Sequence, residues 1–173
     1  MPAARISVHG VWWRINRTGG DPFLWTVEAA DGRWQTGSVV RAFYLAYTEA
    51  TAWAEWYRHT SEQGAPPASR MPRDTWRIKA NVSDIVDLTK PGVLERHGIT
   101  ELRPTRRQWP LTQPVGEAYY HAGFRGLLAP SAAHDGGQVL AIFRPLPALP
   151  GLSAVPPPTR CDVLPRIPTG LRT

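Results

Sequence analysis

The spacing of apolar residues divides the chain into predicted strands and helices. Apolar alternation predicts strands over residues 9–15, 39–46, 76–82 and 139–143, with a continuation over 85–88. Helical spacing predicts a helix that begins at Thr48, a second that opens at Thr112-Gln113-Pro114, and a short one over 91–96. Because strands and helices are mixed without regular alternation, we expect a single α+β domain rather than a doubly wound sheet.

Tyr44 lies in the predicted strand 39–46, where successive side chains point to opposite faces of the sheet. It shares its face with Ala42 and Ala46, whose small side chains leave the tyrosine ring uncovered along the strand. The ring is therefore a candidate stacking surface for a ligand. A packed helix would fill the same space, and burial in a core is the commoner role of a strand tyrosine.

Glu55 occupies the narrow polar stripe of the first predicted helix. Thr48 is a competent N-cap, and apolar residues cover most of the helix circumference. A helical glutamate followed by Arg58 and His59 is commonly part of a surface ion pair. The alternative is that the carboxylate faces a binding site, and spacing alone leaves both interpretations open.

Composition favours one packed domain with a C-terminal extension. The chain has 173 residues, 42% of them hydrophobic, with eight tryptophans, which is enough for a sizeable core. Eight prolines fall within residues 144–173, where apolar periodicity also disappears. We therefore expect a domain over residues 1–144 and a proline-rich extended or disordered tail over 145–173, outside the fold.

The net charge of +6 suits an acidic ligand or partner, but its distribution is uninformative. The basic residues are 18 arginines and two lysines, scattered along the chain instead of forming a run. A coding bias toward arginine, serving mainly solubility, explains this pattern as well as a polyanion-binding surface does.

Neither a metal site nor membrane insertion is predicted. Cys161 is the single cysteine, and the five histidines show no paired metal spacing. The sequence has no apolar run long enough for a signal peptide or a membrane span, so we expect a cytoplasmic protein. It also lacks the P-loop and Rossmann glycine patterns.

An ordered set of short blocks gives the chain a family resemblance. No single block is specific, but they follow one another over residues 11–143, and Arg33, Tyr44 and Glu55 stand eleven residues apart. The blocks are Trp13-Arg14-Ile15, Gly32-Arg33-Trp34, Tyr44-Leu45-Ala46 with Ala54-Glu55, Asp87-Leu88-Thr89, Thr112-Gln113 with Gly116, and Pro130-Ser131-Ala132 before the strand at 140–143. In this order the chain resembles the RES-domain family, named for its arginine, glutamate and serine.

This resemblance implies a fold similar to that of ADP-ribosylating toxins and the activity of an NAD+-consuming bacterial toxin. Members of the family cleave the nicotinamide–ribose bond by hydrolysis, by phosphorolysis or by transfer of ADP-ribose to a protein. NAD+ would be the substrate, and no cofactor is implied. The implied partner is an Xre-type helix-turn-helix antitoxin, and contact with nucleic acid is expected only through that antitoxin.

The resemblance also assigns roles to five residues, and their chemistry suits them. Glu55 would stabilise the positive charge that builds on ribose as nicotinamide leaves. Arg14 and Arg33 would bind the pyrophosphate, Arg33 with a catalytic role as well. Tyr44 would stack on the charged nicotinamide ring, and Ser131 would hydrogen-bond the ligand, with a catalytic role as well. A nucleophilic Ser131 is not expected, because no activating base is adjacent in sequence.

The chain departs from the family pattern at Ile15, Gln35 and Ala133, which leaves other functions open. One alternative is a catalytically degenerate relative that acts as a partner-binding protein. Another is a non-enzymatic, basic nucleic-acid-binding module, since arginines and aromatic rings together bind single strands. Individually, each proposed site residue also has a structural interpretation, such as an Arg33–Asp31 pair at a turn.

Overall fold

The computed structural model describes residues 4–172, which form six strands and three α-helices. The strands are β1 (Arg5–Arg17), β2 (Ala42–Ala46), β3 (Arg73–Asp87), β4 (Gly126–Pro130), β5 (Gln138–Phe143) and β6 (Leu152–Cys161). The helices are α1 (Glu49–Glu62), α2 (Val93–Arg96) and α3 (Trp109–His121), with short 3-10 turns at Pro67–Arg70 and Arg106–Gln108. This is the mixed α and β domain that the sequence predicts. Residues 1–3 of the predicted domain and residue 173 of the predicted tail lie outside the described residues.

Five of the strands close on themselves. The sheet order is β1-β2-β5-β4-β3-β6, and β1 also pairs with β3, so β1 to β5 form a closed barrel. The closure is possible because β3 is long: one edge pairs with β1 along its length, and the other pairs with β6 in its first half and with β4 at its end. On the other side of β1, β2 pairs at Trp13 and Ala46.

Side-chain alternation sends residues of the same strands into two separate cores. Phe43 and Leu45 of β2 join Leu140 and Ile142 of β5 in one apolar cluster, together with residues of β1 and β3. Val139, Ala141 and Phe143 of β5 belong to the second cluster, which also includes Val115 of α3. Tyr44 packs beside this second cluster and so faces away from Phe43. The period of two in β2 and β5 therefore decides which residues can reach the face where α3 packs.

Several element boundaries differ from those predicted. The strand expected from residue 39 begins at Ala42, because Val39 and Val40 donate backbone hydrogen bonds to Thr36 in a turn. The helix expected to open at 112–114 begins at Trp109 and continues through Pro114. In contrast, the predicted Thr48 cap of α1 is confirmed, since its side chain accepts a hydrogen bond from the Thr51 backbone N–H at 3.1 Å.

The C-terminal segment differs most from expectation, because it is part of the sheet. Residues 145–173 were expected to form an extended or disordered tail outside the fold, but Leu152–Cys161 is β6 and pairs antiparallel with β3. Proline is tolerated there because an outer strand needs hydrogen bonds on only one edge. Beyond β6, the Pro165 carbonyl accepts a hydrogen bond from Tyr57 of α1, and the Thr169 carbonyl lies 2.9 Å from His134 Nε2. The sequence hides this strand because its side chains are mostly half-buried or exposed and show no apolar alternation.

Candidate active site

Four of the five predicted site residues line one cavity. Arg14 comes from β1, Arg33 from the β1–β2 connection, Tyr44 from β2 and Glu55 from α1, and they surround a cavity of about 440 Å³. Trp13, Trp56 and Trp109 form aromatic parts of its wall. This position favours the interpretation of Glu55 as a site residue over its interpretation as part of a surface ion pair. Arg58, which was its possible pair, lies 3.8 Å from Glu62 instead.

Ser131, the fifth predicted residue, lies behind Glu55 and does not line the cavity. It is only 2% exposed, and its Oγ lies 2.6 Å from Glu55 Oε1. The same Oγ accepts hydrogen bonds from the backbone N–H groups of Ala133 at 3.2 Å and His134 at 3.0 Å. Because both acceptor positions are used, the hydroxyl hydrogen is directed at the carboxylate. Ser131 thus orients Glu55. From the sequence we expect it instead to contact a ligand directly.

The turn that carries Arg33 is held from behind by α3. The Thr112 hydroxyl donates to the Arg33 carbonyl, and Gln113 Nε2 donates to the Gly32 carbonyl at 2.9 Å. Gly116 makes this approach possible, since a Cβ there would lie 1.9 Å from the Trp34 carbonyl oxygen. The Thr112-Gln113 and Gly116 blocks are therefore supports for the arginine turn. They do not contact the cavity themselves.

Arg33 lines the same cavity as Glu55 without forming a close ion pair with it. One of its terminal nitrogens donates to Gln108 Oε1 at 3.1 Å. Burial lowers the pKa of Arg33, while the nearby Glu55, Tyr44 and Glu62 act in the opposite direction. A guanidinium with remaining donors and a carboxylate with one oxygen left without a protein partner therefore line one cavity.

Tyr44 is positioned by its hydroxyl. The hydroxyl donates to Gln35 Oε1 at 2.6 Å and accepts from the Trp34 backbone N–H at 3.1 Å. Burial raises the pKa of Tyr44 above its usual value, so the phenol is neutral at physiological pH. Gly32 permits this arrangement because a Cβ there would lie 2.5 Å from both the Tyr44 hydroxyl and Gln35 Oε1. The ring itself lines the cavity.

Arg14 is a constrained cation that lines the same cavity. Its Nη1 donates to the Tyr44 carbonyl at 2.9 Å and its Nε donates to Asn16 Oδ1 at 3.1 Å, with the guanidinium 4.3 Å from the centre of the Phe43 ring. Burial, together with repulsion from Arg144, lowers the pKa of Arg14 to about 10. That value still leaves the side chain charged at neutral pH.

Several residues that complete the site were missed by sequence reasoning. Gln35 holds the Tyr44 hydroxyl, and Glu117 Oε1 accepts hydrogen bonds from both the backbone N–H and the hydroxyl of Thr36. Thr51, which the helical pattern places on the polar stripe, is buried and bonds His134 Nδ1 at 2.9 Å. The partners of Thr36 and Thr51 lie more than 80 residues away in the chain, so these contacts leave no local signal. Only the resemblance blocks pointed to this region.

The arrangement suits a ligand that combines an anionic group with a developing positive charge. Two guanidinium groups offer donors to phosphate oxygens, and the carboxylate that lines the same cavity can stabilise a cation formed there. Among residues 4–172, no group of three or more histidine, cysteine or acidic side chains is arranged to hold a metal ion. The same part of the chain has no helix of sufficient length and hydrophobicity to cross a lipid bilayer.

Known proteins resemble this chain in sequence and in fold. A model of the RES domain matches residues 11–163. A probable NAD(+) phosphorylase of Mycobacterium tuberculosis is 30% identical over 173 residues, covering 95% of this chain and 81% of that protein. The crystal structure of the M. tuberculosis MbcT-MbcA toxin–antitoxin complex contains a chain that superposes with a TM-score of 0.72 at 21% identity, covering 92% of this chain and 86% of the other.

Proposed function

This chain belongs to the RES domain family, and we propose that it consumes NAD+ by cleaving the bond between nicotinamide and ribose. The observation that carries the proposal is the convergence of Arg14, Arg33, Tyr44 and Glu55 on one cavity. In this proposal the dinucleotide binds with its pyrophosphate near the two arginines and its nicotinamide ribose beside Glu55.

Glu55 supplies the main catalytic effect. When nicotinamide leaves, positive charge develops on the ribose, and a nearby carboxylate stabilises that transition state more than the neutral sugar of the ground state. Ser131 occupies one carboxylate oxygen of Glu55, Oε1, which leaves Oε2 for the sugar. Removing a charge aimed at the transition state costs on the order of 100-fold or more in rate.

The arginines and Tyr44 bind and orient the substrate. Planar guanidinium groups hold phosphate oxygens through paired hydrogen bonds, which fixes the position of the ribose relative to Glu55. The nicotinamide of NAD+ carries a positive charge, and an aromatic face attracts such a ring. Once nicotinamide leaves, that charge is lost, so the Tyr44 ring holds the product less strongly than the substrate.

Phosphate is the nucleophile that we favour among the three that the family uses. The leaving group is the same for water, phosphate and a protein side chain, and only the attacking group differs. The M. tuberculosis relative is named a probable NAD(+) phosphorylase, and this chain aligns with it over 95% of its length. Attack by a phosphate oxygen on the ribose carbon, with departure of neutral nicotinamide, would give ADP-ribose carrying a phosphate on that carbon.

The toxin role, the partner and the cellular location are part of the same proposal. We propose that the protein acts in the cytoplasm as the toxin of a toxin–antitoxin pair, with an Xre-type helix-turn-helix antitoxin that covers the cavity. The structural similarity to a chain of the MbcT-MbcA complex supports an architecture compatible with such a role. A similarity of the sheet core to that of ADP-ribosyltransferases also belongs to the proposal.

Nicotinamide release from NAD+ by the purified chain, with and without phosphate, tests the activity. We expect release that depends on phosphate and that falls at least 100-fold in Glu55→Gln. Glu49→Gln is the matched control, because Glu49 begins the same helix but does not line the cavity. No release beyond that of Glu55→Gln would refute the proposal. NAD+ binding without turnover would identify a catalytically inactive relative.

A further inference from the structure

A second cavity, of about 550 Å³, adjoins the first and is strongly basic. The two share Arg14, Ile15, Trp56 and His59, so they form one cleft along the exposed side of α1. The second cavity is lined by six arginines and two acidic residues: Arg14, Arg17, Arg41, Arg70, Arg73, Arg144, Asp21 and Glu28. The proposed mechanism uses only Arg14 of this set.

Two of these arginines already have structural partners. Arg144 donates to the carbonyls of Phe23 at 2.8 Å and Leu24 at 3.1 Å, and Arg41 donates to the carbonyls of Thr26 and Val27. Both guanidinium groups also lie over the Trp25 ring. They therefore hold the loop that forms the outer wall of the cleft. Their contacts account for their positions without any ligand.

The remaining three, Arg17, Arg70 and Arg73, form what we call the distal arginine cluster. Arg17 and Arg73 are direct cross-strand partners in the β1–β3 ladder, and Arg70 ends the 3-10 turn just before β3. Burial lowers the pKa of Arg73, and the nearby charges of Arg17 and Arg70 lower it further. Within residues 4–172, the cluster side chains make no ion pair with a carboxylate and no hydrogen bond, and Arg73 Nε is buried without a partner.

Such a cluster opposes folding unless an anion neutralises it. Like charges directly opposite on neighbouring strands destabilise a sheet, and desolvation adds to the cost. Because three guanidinium groups with free donors face one cavity, a group with several negative oxygens would satisfy them. A terminal phosphate group fits this requirement best, since it presents at least three free oxygens and nearly two charges at neutral pH.

We propose that the distal arginine cluster is a second anion site that binds a terminal phosphate group, at the end of the cleft away from Glu55. Glu55 of α1 lines the first cavity, and Gln63, the C-cap residue just after α1, lines the second; eight residues separate them, about 12 Å along the helix axis. Building on the proposed function, a dinucleotide with its nicotinamide ribose at Glu55 would extend its adenosine half toward the cluster. The phosphate then belongs either to a 2′-phosphorylated dinucleotide or to a free phosphate ion.

Calorimetric titration with three probes distinguishes these sources. The probes are 5′-AMP, adenosine 2′,5′-bisphosphate and inorganic phosphate, and the variant is Arg17→Gln/Arg70→Gln, which leaves the more enclosed Arg73 in place. We expect the bisphosphate to bind wild type at least tenfold more tightly than AMP, and this preference to vanish in the variant. The control is Arg77→Gln/Arg166→Gln, which removes the same charge from two exposed arginines outside both cavities.

Each outcome decides the proposal separately from the NAD+ activity. Cluster-dependent binding of inorganic phosphate, with equal affinity for the two nucleotides, would support the site and identify the free ion as its ligand. Equal affinity of every probe for wild type and variant would overturn it. The ligand-free variant should also melt at a higher temperature than wild type, because repulsion within the cluster is removed. A cluster-dependent preference without nicotinamide release would leave this site standing while the proposed function fails.

Discussion

The contact between Ser131 and Glu55 makes a quantitative prediction about a residue that does not reach the cavity. Ser131→Ala removes the hydroxyl that holds Glu55 Oε1 at 2.6 Å, while the carboxylate itself remains. A hydrogen bond to a charged group contributes about 1.5–3 kcal/mol. If all of that energy maintains the catalytic orientation, the rate should fall by roughly 10- to 150-fold, since about 1.4 kcal/mol corresponds to a factor of ten.

The substitution also affects stability, which must be separated from catalysis. The backbone N–H groups of Ala133 and His134 lose their acceptor, and a buried unsatisfied donor costs about 1–3 kcal/mol. At about 2–4 °C per kcal/mol for a chain of this size, the melting temperature should fall by several degrees. Activity is therefore measured well below the unfolding transition of the variant.

A double-mutant cycle tests whether Ser131 acts through Glu55. Steady-state nicotinamide release is compared for wild type, Ser131→Ala, Glu55→Gln and the double variant. We expect Ser131→Ala to lower kcat with little change in KM, and to have almost no further effect in the Glu55→Gln background. Additive losses of kcat would refute the positioning role. A loss of stability in Ser131→Ala without any loss of kcat would also refute it.

Three further predictions concern the walls of the cavity. Tyr44→Phe should lower the free energy of unfolding by about 1–3 kcal/mol, because Gln35 Oε1 and the Trp34 N–H lose their partner. The same variant should leave KM for NAD+ nearly unchanged, because the ring is kept, whereas Tyr44→Ala should raise KM. Chemical denaturation and steady-state kinetics measure both, and a KM unaffected by Tyr44→Ala would exclude stacking. Gly116→Ala should lower the free energy of unfolding by about 1–3 kcal/mol or more and reduce activity, because its Cβ would overlap the Trp34 carbonyl oxygen. As a control, Ala118→Gly on the exposed side of the same helix should lower that free energy by about 1 kcal/mol and leave activity unchanged. Burial and the charge of Arg106 lower the pKa of His59. Below about pH 6.5 the unfolded state therefore binds more protons than the folded state, and stability should fall as the pH falls. The melting temperature of His59→Gln should decline less than that of wild type between pH 7 and pH 5, and an identical decline would contradict this assignment.

Local signals were sufficient for the elements that carry the site. The Thr48 cap and the apolar spacing after it correctly predicted α1, and the narrow polar stripe correctly placed Glu55 away from the core. Alternation in the strand containing Tyr44 correctly separated that ring from Phe43. These features depend on residues within about one helical turn of each other or on the next residue along a strand, so the sequence contains them directly.

Sequence by itself thus determined the mixed α and β character, the family and four of the side chains that line the cavity. Only the tertiary structure decided what each of them contacts. Ser131 lies 76 residues from Glu55 in the chain, and Gln113 lies 81 from Gly32, so their hydrogen bonds depend on how distant elements close into a barrel. The same dependence brings β6 onto β3 and places Arg17 opposite Arg73. Packing and strand pairing between distant segments determine these contacts. Neither segment alone carries a periodic pattern that would predict them.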